Sequence, residues 1–255
     1  MIKKNGKLVE VINCEKLFVV GDIHGDLSVF QEIVKIVNEE WRKSSDVLLL
    51  FLGDYADRGD YGLEVIEGLK ELIEKHPTKV VALKGNHEDY DENGNPKFRP
   101  SDLIHEVVSK RGTWHEYFKR NLSQFFSSLP IAAKYRSILF VHGGISSKVK
   151  SLEDLMFPSK EIEEDILWSD PFEGYGEYPN PRGAGVLFGK DITDKVLSLL
   201  SANKLIRAHQ PQKAINGVFE EHGGKVVTIS STRVYNGKAA LLEIHGNVIK
   251  VRHIL

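Results

Sequence analysis

Five short clusters in this chain bring together side chains that bind metals and move protons. They are Gly21-Asp22-Ile23-His24-Gly25, Gly53-Asp54-Tyr55-Ala56-Asp57-Arg58-Gly59, Gly85-Asn86-His87-Glu88, His142-Gly143-Gly144 and His209. Each follows a short apolar run. A Gly-Asp pair after a strand is by itself an ordinary turn, and a lone histidine is usually a surface or core residue. Five such clusters in one chain are different, because in open α/β sheets the ends of successive strands gather around one ligand site. The donors are carboxylate, amide and imidazole, with no thiolate, a set that suits Mn2+, Fe or Zn2+ better than a soft metal or calcium. Two such ions side by side, sharing an acidified water, would hydrolyse a phosphate ester.

The elements that must carry these clusters can be read from hydrophobic spacing. Lys16 to Val20, Asp46 to Leu52 and Lys79 to Leu83 are apolar runs of strand length. Between the first two, Leu27, Phe30, Ile33, Val34, Val37 and Trp41 recur at helical spacing, with Asp26 or Ser28 placed to cap the helix. Between the next two, Leu63, Ile66, Leu69, Leu72 and Ile73 mark a second helix, closed by Lys75-His76-Pro77. This is a βαβαβ opening, which predicts neighbouring parallel strands. Residues 90–100 read as an exposed loop and 102–128 as helical, with a break near Gly112. Ile131 to Tyr135 and Ser137 to Val141 pair as strands, and 171–181 form an irregular loop. A helix over Ile192 to Leu200 precedes a strand over Leu205 to Ala208. The tail is antiparallel in character, with turns at Gly223-Gly224 and Gly246-Asn247. The expected class is α/β, with two mixed sheets packed as a central sandwich flanked by helices. No repeat or linker divides residues 1–255, so one domain is expected.

Composition excludes several functions. The net charge of −2 offers no global field for nucleic acid or anionic lipid, so neither partner is expected. The longest apolar stretch, Val47 to Leu52, is far too short to span a bilayer, and the N-terminus lacks the apolar run of a signal peptide. The single cysteine, Cys14, cannot form an internal disulfide, which suits a reducing cytoplasm. It is also not followed six residues on by arginine, so the loop of the cysteine-dependent phosphatases is absent. No P-loop occurs.

The order GDIHG, GDYADRG, GNHE, HGG, then LWSDP, RG and RAHQ resembles the phosphoprotein phosphatases of the protein phosphatase 1/2A type, within the calcineurin-like metallophosphoesterases. The resemblance runs from about Leu17 to Tyr235. It implies that Asp22 and His24 hold one metal, that Asn86, His142 and His209 hold the other, and that Asp54 bridges them. It further implies that His87 is the catalytic histidine, paired with Asp57, and that Arg58 and Arg182 bind phosphate. Tyr235 matches a tyrosine at the rim of the site. The implied cofactors are two divalent ions, Mn2+ foremost, and the implied partners are phosphoprotein substrates.

Physical reasoning agrees with these assignments. A bridging carboxylate offsets repulsion between adjacent cations, and a hydroxide held between them would attack phosphorus directly, without a phosphoenzyme. Planar guanidinium forks fit the equatorial oxygens. The alkoxide of serine or threonine is a poor leaving group and needs a proton, which His87 is placed to give while Asp57 fixes its tautomer. The expected activity is hydrolysis of phosphoserine and phosphothreonine. The alternatives are a dinucleoside tetraphosphate hydrolase, or a broad phosphomonoesterase that includes phosphotyrosine.

Other residues receive plainer readings. Arg207 is expected to be structural, Glu88 to orient a metal ligand, and Asp89 to be part of the loop. Phe172, Tyr175 and Tyr178 either line a substrate groove or pack a glycine-rich loop. The acidic run Glu161 to Asp165 is expected to be a solvated face. His76, His105, His115, His222, His245 and His253 are expected to be solvated or to end helices.

Overall fold

The computed structural model describes residues 1–254. The chain opens with a hairpin of β1 (Ile2–Asn5) and β2 (Leu8–Val11). Hydrophobic spacing does not reveal this pair, because both strands are short and carry lysine or glutamate. The βαβαβ unit follows as expected: β3 (Lys16–Val20), α1 (Leu27–Lys43), β4 (Val47–Phe51), α2 (Gly62–Lys75) and β5 (Val80–Ala82), with β3, β4 and β5 parallel. Asp26 caps α1, its carboxylate accepting the N–H of Val29 at 3.2 Å.

The helical region comprises α3 (Asp102–Arg111), α4 (Trp114–Tyr117), a π-helical turn over 118–122, and α5 (Ser123–Ser128). The break falls at Gly112, which takes φ +100°. Then come β6 (Ala132–Tyr135), β7 (Ile138–Val141), α6 (Leu152–Met156) and α7 (Lys160–Trp168). Next are β8 (Asp170–Pro171), β9 (Glu177–Pro179) and β10 (Val186–Phe188), which form a small three-stranded sheet of their own. The stretch expected to be an irregular loop is therefore partly strand; its two short segments pair only with 186–188, too little sequence to show a period. The chain ends with α8 (Lys190–Leu199), β11 (Lys204–Arg207), β12 (Val218–Glu221), β13 (Val226–Ile229), β14 (Ala240–His245) and β15 (Val248–His253).

One large sheet has the order β1-β2-β6-β7-β11-β13-β12 and the other β15-β14-β3-β4-β5. Both expected hairpins of the tail are present, but they join different sheets. β13 lies parallel to β11, whereas β14 lies antiparallel to β3. The sheets touch through a parallel bridge between Asp22 and Ser230.

Alternation of side chains along each strand decides the layers. Leu17, Val19, Leu48 and Leu50 face Phe140, Ile206, Val227 and Ile229 in the core between the sheets. Phe18, Val20, Leu49 and Phe51 point the other way, onto Phe30, Ile33, Leu63, Ile66 and Leu69 of α1 and α2. Leu139, Val141, Leu205 and Val226 likewise pack on Ile162, Ile166, Val196 and Leu197 of α7 and α8. The result is the expected sandwich of two mixed sheets between helical layers.

Three charged or polar side chains are more buried than the sequence implies. Asp165, in the acidic run, lies on the inner side of α7 and pairs with Lys148 at 2.7 Å. His222 is buried, its ring bonded to Thr193 Oγ1 and the Phe172 carbonyl, each at 2.8 Å. Asp89 is buried and pairs with Lys84 at 2.7 Å and Lys97 at 3.1 Å. In each case the partner is distant enough in sequence, or placed by a fold turn, that no local pattern reveals it. His76 ends α2 against Trp41, and His105, His115, His245 and His253 are exposed, as expected. Cys14 is buried.

Candidate active site

The clusters sit beyond the carboxyl ends of β3, β4 and β5 from one sheet and of β7 and β11 from the other. Bringing five chain segments to one point strains the backbone. His24, Asp54, Asp57, Arg58 and His209 have φ between +48° and +74°, five of the nine non-glycine residues with positive φ among those described. Such conformations persist only where surrounding structure enforces them, and they concentrate at functional sites. Two glycines make the crowding sterically feasible. A Cβ on Gly53 would lie 2.5 Å from the backbone of Gly85, and one on Gly85 would lie 2.3 Å from Oδ1 of Asp54.

Asp54 is central. Its carboxylate lies 3.6 Å from Nε2 of His24, 3.3 Å from Nε2 of His142 and 4.0 Å from Nε2 of His87. His24 and His142 each direct Nδ1 at a backbone carbonyl, of Ala56 and Leu52 respectively, both at 3.0 Å. A donating Nδ1–H leaves the Nε2 lone pair free, the arrangement usual in metal-ligating histidines. Oδ1 of Asn86 lies 2.9 Å from both His142 Nε2 and His209 Nδ1. Asp22 Oδ1 accepts the N–H of His209 at 3.0 Å, while Asp22 Oδ2 and His209 Nε2 are buried without any partner.

Donor atoms of His24, Asp54 and His87 lie within 4.8 Å of one another, as do those of Asp54, His142 and His209. Orphaned buried donors together with convergent oxygen and nitrogen atoms fit a pair of metal ions that share Asp54. His87 stands in the first group in place of Asp22. Its Nδ1 is already committed, so only Nε2 faces that group.

That commitment is to Asp57, whose Oδ2 lies 2.6 Å from His87 Nδ1 and whose Oδ1 accepts the N–H of Leu103 at 2.7 Å. Glu88 accepts N–H bonds from Asp54, Tyr55 and Gly85 at 2.9, 3.0 and 2.9 Å. It thus pins the Asp54 loop to the Asn86 loop through the backbone rather than through a ligand side chain. Arg58 is held by Asp102, which accepts from its guanidinium at 3.2 Å and from its backbone N–H at 3.0 Å. Asp170 divides its two oxygens between Arg182 at 2.8 Å and Arg207 at 2.9 Å. Arg207 is fully buried and also donates to the Gly143 carbonyl, which accounts for its structural reading.

A cavity of about 430 Å³ opens onto this cluster, lined among others by His24, Asp54, Asn86, His87, Arg58, Arg182, His209 and Tyr235. Asp22 and His142 lie beneath it, buried. Phe172, Tyr175 and Tyr178 are not in its lining: Tyr175 and Tyr178 are exposed, and Phe172 packs on Tyr178. Phe98, Arg99, Trp168, Gln210 and Lys213 do line it, and the sequence assigned none of them a role, although Trp168 and Gln210 stand in the LWSDP and RAHQ motifs. For Phe98 and Arg99, only their position in a polar stretch just after the GNHE cluster pointed towards the site.

Burial and charge divide the titratable groups. Burial, with the Asp54 charge added, pushes both Asp22 and Glu88 up to about 7. Burial lowers His24 to about 4 and takes His209 well below its ordinary value. Burial opposes ionisation of Asp54 as well, yet His142, His87 and His24 hold it well below the usual carboxylate range. For His87, burial is outweighed by Asp54 and Asp57, which raise it. Asp170 is drawn down to about 2 because Arg207, His209 and Arg182 outweigh its burial.

The chain matches the calcineurin-like phosphoesterase family model over residues 15–213. It is 31% identical to a serine/threonine-protein phosphatase of Caenorhabditis elegans over 87% of this chain and 51% of that protein. It is 32% identical to a serine/threonine-protein phosphatase, PP2A-like PPG1, of Candida albicans over 90% of this chain and 56% of that protein. The chain thus spans about half the length of these relatives. Its fold resembles that of a Saccharomyces cerevisiae protein serine/threonine phosphatase with similarity to human PP5, at a TM-score of 0.78 and 25% identity, covering 98% of this chain and 85% of that one. No helix among the described residues is long and apolar enough to cross a membrane. On the family match and on the motif order that the structure gathers into one site, the chain belongs to the calcineurin-like phosphoesterases, in the phosphoprotein phosphatase branch.

Proposed function

We propose that the protein hydrolyses phosphoserine and phosphothreonine in proteins, using two divalent ions, Mn2+ foremost. The observation that carries this reading is the His87–Asp57 pair. At 2.6 Å, and with His87 Nε2 facing the cavity beside Asp54, it is a proton donor next to a candidate metal pair. Asp22 and His24 would hold one ion, Asn86, His142 and His209 the other, and Asp54 would touch both. When bound, the ions supply positive charge to the phosphoryl oxygens and a water acidic enough to act as nucleophile near neutral pH.

The chain's own groups do the rest. Arg58 and Arg182 line the cavity and present planar donors to the remaining phosphoryl oxygens. Asp102 and Asp170 keep those guanidinium groups from swinging into solvent. Asp57 holds the proton on Nδ1 of His87 and favours its protonated form, so that Nε2 can protonate the departing alkoxide. Tyr235 stands against His24, ring centroids 5.6 Å apart, and closes one side of the cavity.

Phosphate release from a phosphoserine peptide is the test, measured with and without Mn2+ beside a phosphotyrosine peptide and a dinucleoside tetraphosphate. Metal-dependent turnover of the phosphoserine peptide, lost in Asp54→Asn, supports the proposal. Turnover of the dinucleotide alone, or of no substrate with any divalent metal, overturns it.

A further inference from the structure

Residues 90–101 bring Phe98 and Arg99 to the cavity, and Arg99 is a cation that the proposed chemistry does not use. The segment is anchored. Tyr90 lies among Trp114, Phe118 and Phe126, with ring centroids 5.4, 5.4 and 5.6 Å away. The Asp91 carboxylate accepts the N–H groups of Asn93 and Asn95 at 2.9 and 2.8 Å, and Trp114 Nε1 donates to the Gly94 carbonyl at 2.8 Å. Phe98 then packs on Tyr90 at 5.3 Å and on the ring of His87 at 4.4 Å. A segment tied at this many points holds its side chains in a fixed relation to the proton donor.

Arg99 follows Phe98 and lines the same cavity as Arg58, Arg182 and Lys213. Those three cations are committed, Arg58 to Asp102, Arg182 to Asp170 and Lys213 to Glu221. Arg99 is exposed and forms no hydrogen bond or ion pair with any described residue. The chain as a whole carries a net charge of −2, so four cations around one cavity are a local concentration, and one of them is left without a counter-charge. A phosphoryl group bound by Arg58, Arg182 and the metal pair has no need of it.

The geometry points to Arg99 as a specificity residue that receives a second anionic group, carried by a residue next to the phosphorylated one in a peptide substrate. This rests on the phosphoprotein reading given above. The partner group is a carboxylate or a further phosphate, either of which fits a guanidinium fork. Because the site is solvent-exposed, the pairing biases selection and steers encounter rather than deciding turnover outright. Its contribution should fade with added salt.

The test compares kcat/KM for three phosphoserine peptides, with neutral neighbours, with glutamate on both sides, and with a second phosphoserine. In the unaltered protein the acidic peptides should be preferred, and Arg99→Gln should lower that acidic-to-neutral ratio about fivefold. Arg99→Glu should invert the ratio. Comparing the glutamate and diphosphorylated peptides identifies which anion the guanidinium serves, and a fall in either ratio supports the inference. An acidic-to-neutral ratio that Arg99→Gln leaves unchanged overturns the inference while the phosphatase reading stands. If the unaltered protein releases phosphate from p-nitrophenyl phosphate but from none of the peptides, the protein-substrate reading fails and this inference with it.

Discussion

Asp57 bonds His87 with one carboxylate oxygen and the first turn of α3 with the other, at 2.6 Å to Nδ1 of the histidine and 2.7 Å to the N–H of Leu103. His87 is thereby fixed to a helix that supplies none of the five clusters.

Replacing His87 by Asn should therefore slow hydrolysis according to the leaving group. With a phosphoserine peptide, kcat should fall about 10²- to 10⁴-fold, the usual worth of a general acid. With p-nitrophenyl phosphate, whose phenolate needs no proton, the fall should be much smaller. Equal losses would remove the general-acid role.

Asp57→Asn should change the pH profile as well as the rate. A general acid must be protonated, so kcat declines as pH rises through its pKa. The Asp57 carboxylate raises that pKa, and without it the alkaline limb should move to lower pH. Measuring kcat against pH for both proteins checks the direction, and an unmoved limb would dissociate Asp57 from the proton donor.

Asp102 is the residue at this site whose role only the fold reveals. Asp102→Ala removes the counter-ion of Arg58 and the acceptor of its backbone N–H, leaving the guanidinium only the Pro100 carbonyl at 3.0 Å. The pair is half-exposed, so the loss should be about 1 kcal/mol, seen as a roughly fivefold weaker KM and weaker inhibition by inorganic phosphate. A change in kcat with KM unaltered would assign Asp102 a different part.

Asp170 ties the cavity-lining Arg182 to the buried Arg207. Asp170→Asn leaves the buried guanidinium of Arg207 without its counter-ion, which should cost about 3–5 kcal/mol by urea unfolding. The same carboxylate predicts acid sensitivity. Its folded-state pKa of about 2 lies below the unfolded value, so its stabilisation is fully present above about pH 4 and is lost as pH falls towards 2. That window should hold a loss of about 2–3 kcal/mol that the asparagine variant lacks.

Metal binding should be visible without any assay of activity. A ligand that binds only the folded chain adds about 2.7 kcal/mol at a hundredfold excess over Kd, so Mn2+ should raise the melting temperature and a chelator should reverse the rise. Asp54→Asn, which removes the shared carboxylate, should abolish most of that shift. A melting temperature insensitive to every divalent ion would leave the orphaned atoms of Asp22 and His209 unexplained.

The sequence alone was enough to find the five clusters, the βαβαβ opening and the sandwich class. Those features are local or periodic: a ligand type follows its own strand, and alternation along β3 and β4 reports two buried faces. The structure separates Arg182 and Arg207 into a cavity-lining group and a fully buried one. Only the tertiary structure decided which sheet each tail hairpin joins, because β13 pairs with β11 just before it whereas β14 pairs with β3 at the other end of the chain, and nothing local distinguishes the two cases. It likewise decided that Asp102 holds Arg58, that Phe98 covers His87, and that Arg99 stands unpaired at the mouth. These relationships join segments with no shared period. They arise from packing the helical region beside the first sheet, so nothing in the local residue pattern could announce them.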